Sequence, residues 1–95
     1  MTEKTTPEKS SGLAPGMEAS FSTLVLSIAS SAAMSLGLAP NPASGQIEKD
    51  TELARFNIDL LSMLAEKTKG NRTPDEERFI STILQDLKMK FIQGS

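Results

Sequence analysis

Apolar and polar residues divide the chain into a polar tail and three segments with helical periodicity. Residues 1–17 mix Thr, Ser, Glu, Lys, Gly and Pro, and Leu13 is the one large apolar residue between Met1 and Met17. So little apolar surface cannot offset the entropy that a chain loses on ordering. We therefore predict a disordered N-terminal tail over residues 1–17.

The first predicted helix, residues 19–37, has no charged side at all. No charged residue occurs from Ala19 to Ile47, and Gly37 is suited to a helix end. At 100° per residue the larger side chains fall within an arc of about 120°. They are Phe21, Leu24, Val25, Ile28, Ala32 and Leu36. The opposite side is small or apolar, whereas a surface helix normally turns charged residues to water there.

The second predicted helix, residues 51–69, follows a loop rich in Pro and Gly. Asp50 can cap its first turn, and Gly70 can end it. Its apolar residues form one wide face, which we expect to pack on the other helices. They are Leu53, Ala54, Phe56, Leu60, Leu61, Met63 and Leu64.

The third predicted helix, residues 74–92, has the clearest start signal in the chain. Thr73 and Glu76 have the spacing of a capping box, and Pro74 occupies the first helical position. The predicted fold is therefore all-α, with a helical domain over residues 18–92 and a disordered end at residues 93–95. The three helices form a small bundle that we expect self-association to complete.

Composition removes most catalytic chemistry. The 95 residues include no Cys, His, Trp or Tyr, so thiolate nucleophiles, disulfides and histidine relays are impossible. The charge of −2, from 10 basic and 12 acidic residues, gives no basic stripe for nucleic acid. The acidic residues Glu48, Asp50 and Glu52 suit solvent-facing caps. We expect no enzyme activity, no cofactor, no metal site and no nucleic-acid binding.

The small size of the helical domain predicts a homo-oligomer. A chain of this length hides only about 60% of its unfolded surface, and neither disulfides nor zinc can supplement the core here. We therefore expect the uncharged side of the first helix to be buried against a symmetry mate, with a two-fold dimer favoured. The predicted interface comprises Leu26, Ile28, Ala29, Ser30, Ala32, Ala33 and Met34.

Asn57 is a polar residue within the apolar arc of the second helix. One interpretation is that it fixes the register or the partner of a helical assembly, as buried Asn residues do in coiled coils. The other is that it lies at an interface edge and bonds to water or to a neighbouring carbonyl.

Membrane insertion of residues 19–37 is the alternative interpretation of the first helix. Its length is near the ~20 residues that cross a bilayer. Its many Ser residues, and the lack of flanking Trp, Tyr or basic clusters, favour a core helix instead.

Three runs of sequence carry a family resemblance. They are FSTLVLSIASSAAMSLG at 21–37, ARFNIDLLSMLAEKTKGN at 54–71 and LQDLKMKF at 84–91. Together they resemble the domain of unknown function 1844, a family of short bacterial proteins. The resemblance covers about residues 18–92 and implies a helical, cytoplasmic protein, but no activity, ligand or catalytic residue.

These features favour a non-enzymatic helical module that self-associates through its first helix. Its expected task is to bind or scaffold another, unknown protein through a remaining apolar groove, presented by the wide face of the second helix.

Overall fold

The computed structural model describes residues 18–94, which form three helices. They are α1 (Phe21–Ser35), α2 (Thr51–Lys67) and α3 (Pro74–Gly94). Each helix packs on the other two, so the predicted all-α fold is confirmed. The tail predicted for residues 1–17 lies outside the described residues, as does Ser95.

Helix α1 is shorter than the predicted 19–37 because both of its ends are capped inside that range. The Ser20 hydroxyl accepts a hydrogen bond from the backbone of the first turn. At the other end Gly37 has a φ of 81°, and the Leu38 N–H donates to the Ala33 carbonyl at 2.9 Å. This Schellman-type turn needs a left-handed residue, which glycine supplies without steric cost.

The predicted caps of α2 and α3 are both present. The Leu53 N–H donates to Asp50 Oδ1 at 3.1 Å. The Thr73 N–H donates to Glu76 Oε1 at 2.9 Å, and the Glu76 N–H donates to Thr73 Oγ1 at 3.1 Å. These bonds satisfy backbone amides that have no partner within their own helix.

Helix α3 continues past its predicted end at residue 92. It reaches Gly94, so residues 93 and 94 of the end predicted to be disordered are helical. The Lys49 ammonium donates to the Gly94 carbonyl at 2.6 Å. A cation there stabilises the negative end of the helix dipole and binds one of its free carbonyls.

The core of residues 18–94 is thin. Its buried apolar side chains include three alanines, and its largest fully buried side chains are only Leu61, Ile80 and Val25. The full core set is Val25, Ala29, Ala32, Leu36, Ala54, Ile58, Leu61, Ile80 and Leu87. Alanine adds little hydrophobic free energy but lets helices approach closely, as Ala32 and Ala54 do with no exposed surface.

Helices α1 and α2 run antiparallel as a hairpin. The Asp50 N–H donates to the Ser35 carbonyl at 2.8 Å, which places the start of α2 beside the end of α1. The carboxyl end of α3 lies at this same end of the bundle, through the bond from Lys49 to Gly94.

Arg72 closes the opposite end of the bundle. Its guanidinium donates to the Ala65 carbonyl at 2.5 Å, to Thr68 Oγ1 at 3.0 Å and to Glu77 Oε1 at 2.9 Å. The side chain is only 9% exposed, whereas that of Glu77 is 56% exposed. One planar side chain therefore joins the last turn of α2 to the first turn of α3.

We predict that Arg72→Ala lowers the free energy of unfolding by about 2 kcal/mol, because charge-assisted bonds are lost and the Ala65 carbonyl loses this donor. Urea denaturation at fixed protein concentration measures this. The control is Arg78→Ala, which removes a pair with Asp75 whose side chains are 74% and 94% exposed. That change should stay within about 0.5 kcal/mol. Equal effects would contradict the assigned role of Arg72.

Candidate self-association surface

Helix α1 carries a row of uncharged residues outside the core. Leu24, Ser27, Ser31 and Met34 follow one another at spacings of three, four and three residues. This spacing places them along one side of a helix. Leu24 is 47% exposed, Ser27 is exposed, and Ser31 and Met34 are half-buried. The middle of the row is a trough, since Ser27 and Ser31 have small side chains.

Helix α2 carries a second row with the same spacing and larger side chains. It comprises Leu53, Phe56, Leu60 and Met63. Leu53 is 46% exposed, Phe56 is 56% exposed and Met63 is 47% exposed, while Leu60 is half-buried. The middle of this row is a ridge formed by Phe56 and Leu60.

The two rows lie on the same side of the α1–α2 hairpin. A pocket of about 300 Å³ is lined by Ser31 and Met34 of the first row and by Leu53 of the second, together with polar and charged residues of the loop before α2. We call the eight residues of both rows the open face.

Helix α3 packs on a different side of α2. A pocket between them is lined by Arg55, Ile58 and Asp59 of α2 and by Phe91 of α3. On an α-helix Arg55 lies about 160° from Leu53, so α3 leaves the row on α2 uncovered.

The open face contains no charged residue, its end near the loop is bordered by Glu48, Lys49 and Asp50, and its two long edges differ. None of its eight residues is charged, and α1 contains no Asp, Glu, Lys or Arg at any position. On the outer side of α2 the exposed charged residues are Glu52, Arg55, Asp59 and Glu66, so this edge is acidic overall, with three negative charges and one positive charge. The outer edge on α1 is neutral and the outer edge on α2 is acidic.

The interface residues predicted from the sequence separate into three groups. Ala29 and Ala32 belong to the core of the protomer, and Ile28 packs against that core, so these three have little surface to offer a partner. Leu26 is exposed and Ala33 is half-buried, and both lie away from the open face. Ser30 is exposed at the border of the open face, three residues from Ser27 and four from Met34. Met34 belongs to the open face.

Asn57 lies beneath the open face, and only 7% of it is exposed. Its side-chain Nδ2 donates to the Leu53 carbonyl of the same helix at 3.0 Å. That carbonyl already accepts the backbone bond of the helix, so the side-chain bond supplements the helix and does not complete it.

Sequence reasoning placed the residues of α2 in one wide apolar face, whereas the structure divides them into two. Ala54, Ile58 and Leu61 face the core, and the larger Phe56 and Met63 are exposed. The width of the apolar arc could have indicated this division, because the arc is wider than one packing face needs. The small side chain of Ala54 could have indicated which side of α2 packs closely on another helix.

Neither a membrane span nor a metal site is found in the part of the chain that the structure describes. No helix in residues 18–94 combines the length and the apolar character needed to cross a bilayer. No three Asp or Glu residues within 18–94 are grouped so that they could hold a metal ion.

Comparison with known proteins identifies a family. The family model described as a domain of unknown function (DUF1844) matches residues 18–93, which include all three helices except the last residue of α3. No curated protein matches the chain, and no solved structure matches it. Since the match covers most of the sequence, the chain belongs to the DUF1844 family.

Proposed function

We propose that this protein is a non-enzymatic helical module that self-associates as a dimer through the open face. In the dimeric form it binds or scaffolds another protein in the bacterial cytoplasm. The observation that carries the proposed self-association is the open face itself, in which eight uncharged residues on two adjacent helices lie outside the core.

Exposed apolar surface of this kind costs free energy in water. Single exposed apolar residues are normal on proteins, but contiguous patches are typical of interaction sites. Leu24, Leu53, Phe56 and Met63 each keep roughly half of their surface exposed. Covering them would add hydrophobic free energy to a protomer whose core is small.

The acidic side chains near the start of α2 serve the local structure, which supports a non-enzymatic function. Glu48 accepts hydrogen bonds from the Ser44 hydroxyl at 2.8 Å and from the Asn41 side chain at 3.3 Å. Asp50 caps α2 by accepting from the Leu53 N–H. With His, Cys and Tyr missing from the sequence, the usual proton-transfer and nucleophilic partners of such carboxylates are lacking.

We predict that Phe56→Arg converts the dimer into a monomer, because it places a charge in the middle of a desolvated apolar interface. The measurement is the mass of the full chain by light scattering behind a sizing column. Met89→Arg is the matched control on α3, since Met89 is 54% exposed and Phe56 is 56% exposed. The control should keep the dimer mass.

Leu26→Arg separates the open face from the interface predicted from the sequence. Leu26 is 54% exposed but lies on the other side of α1. It should leave the dimer intact, and dissociation by Leu26→Arg alone would contradict our choice of surface. A wild-type chain that aggregates until detergent is added would instead favour the membrane alternative.

Asn57 provides a separate test of partner specificity. We predict that Asn57→Leu stabilises the fold by about 1 kcal/mol, because no carbonyl loses its only donor and more apolar surface is buried. If Asn57 also fixes the register of the assembly, as Asn residues between the helices of coiled coils do, the variant forms a mixture of oligomers. Urea denaturation and light scattering measure the two effects.

The control for this test is Asn57→Asp, which has the same shape but places a carboxylate at a position that is 7% exposed. It should destabilise the fold by about 3 kcal/mol or more. A stable, single-species dimer of Asn57→Leu would show that Asn57 has no role in specificity.

A further inference from the structure

We infer that the occupant of the open face is the open face of a second copy, and that α2 of each copy packs on α1 of the other. The two copies are related by a two-fold axis parallel to the helices. This inference rests on the proposed self-association and specifies its geometry.

Side-chain size favours this pairing over the alternatives. The row on α1 has a trough at Ser27 and Ser31, and the row on α2 has a ridge at Phe56 and Leu60. If α1 packed on α1, two troughs would face each other and leave a void, which costs dispersion energy. If α2 packed on α2, two ridges would collide. Only α2 against α1 places a ridge in a trough, and the two-fold axis makes this contact twice.

The register of the hairpin places the centre of the ridge within about 3 Å of the centre of the trough along the helix axis. The bond from the Asp50 N–H to the Ser35 carbonyl sets the two helices level at that point. Eight residues before Ser35 is Ser27, and eight residues after Asp50 is Ile58. Because the helices are antiparallel and rise equally, Ser27 is level with the gap between Phe56 and Leu60.

Rotation about a two-fold axis parallel to the helices leaves the position of each residue along the helix direction unchanged. Ser27 of the second copy therefore lies opposite the gap between Phe56 and Leu60, without any shift of one copy along the other. By the same count Phe56 is level with Ala29, midway between Ser27 and Ser31, so Phe56 of one copy can insert as a knob between these two small residues of the other.

Charge favours the same pairing. With α2 on α2, the two edges that contain Glu52, Asp59 and Glu66 would run side by side, and their net negative charges would repel each other. With α2 on α1, each acidic edge lies beside the neutral edge of the other copy, because α1 has no charged residue. The acidic edges then remain in water.

The area of the open face suits a small dimer. Helix α1 has 15 residues and is therefore about 22 Å long, and two adjacent helices are about 20 Å wide. Because projecting side chains make the surface uneven, the accessible area of the open face is larger than this rectangle. An area of about 600 Å² per partner is the lower end for stable interfaces, and the open face is of that order.

Disulfide trapping tests the pairing directly, because the natural chain contains no Cys. Full-length Ser27→Cys and full-length Leu60→Cys are mixed in equal amounts and oxidised mildly. We expect a covalent dimer that forms at least tenfold faster in the mixture than in either variant alone. Non-reducing electrophoresis and mass measurement identify the product.

Each other result overturns a defined part of the inference. Faster trapping of either variant alone means that like helices pair. Failure of all three samples to cross-link, while light scattering still gives a dimer, overturns the pairing but leaves self-association intact. A monomer at every concentration overturns both, and leaves the open face to residues 1–17 or to a different protein.

A size swap gives a second test that needs no cross-link. Ser27→Leu fills the trough and should weaken the dimer at least tenfold, whereas Leu26→Phe, which also enlarges a side chain of α1, should not, since Leu26 is 54% exposed on the other side of the helix. Adding Phe56→Ala to Ser27→Leu removes part of the ridge and should recover most of the affinity. Circular dichroism verifies that each variant remains helical, and failure of this recovery would overturn the ridge-in-trough contact.

Discussion

The lack of charge on α1 is the constraint on which the rest of the structure depends. A helix of 15 residues without one Asp, Glu, Lys or Arg cannot present a normal solvated side, so it needs apolar neighbours in several directions. The other two helices cover its core side. They meet it through small residues such as Ala32 and Ala54, which bring the backbones close but bury little surface. The helices are therefore closely packed, but the core between them contains few large side chains.

The ends of the helices are satisfied within the chain, and this leaves the side of the hairpin as the unfinished part. Lys49 binds the last carbonyl of α3, Arg72 joins α2 to α3, and Asp50 caps α2. Polar groups of the backbone are costly when they lack partners, so these bonds are a condition of stability. Part of the remaining exposed apolar surface, from Leu24, Leu53, Phe56 and Met63, lies on one face, where hydrophobic association rather than hydrogen bonding would cover it.

The sequence predicted the helices better than it predicted their orientation. Local signals were sufficient for the capping box at Thr73 and Glu76 and for the Asp50 cap, because capping depends on neighbours three residues away. The division of α2 into a core side and an open side depends on where α1 and α3 lie. Phe56 looked more like a core residue than Ala54 did, yet Ala54 is fully buried and Phe56 is 56% exposed. A small side chain is buried at this position because the helix backbones come close together. A hydrophobicity pattern does not indicate how closely two helices approach.

The different sizes of the two rows also address a conflict between association and solubility. Two large apolar rows would bind strongly, but they would expose more surface in the free protomer and would tolerate many registers. Serine in the trough reduces the exposed apolar area and still permits close approach of a partner helix. Because the ridge at Phe56 and Leu60 then has one matching trough on each copy, shape limits the number of arrangements. In a dimer of this kind each row on one copy is covered by a row on the other copy, so no row is left to bind a third copy.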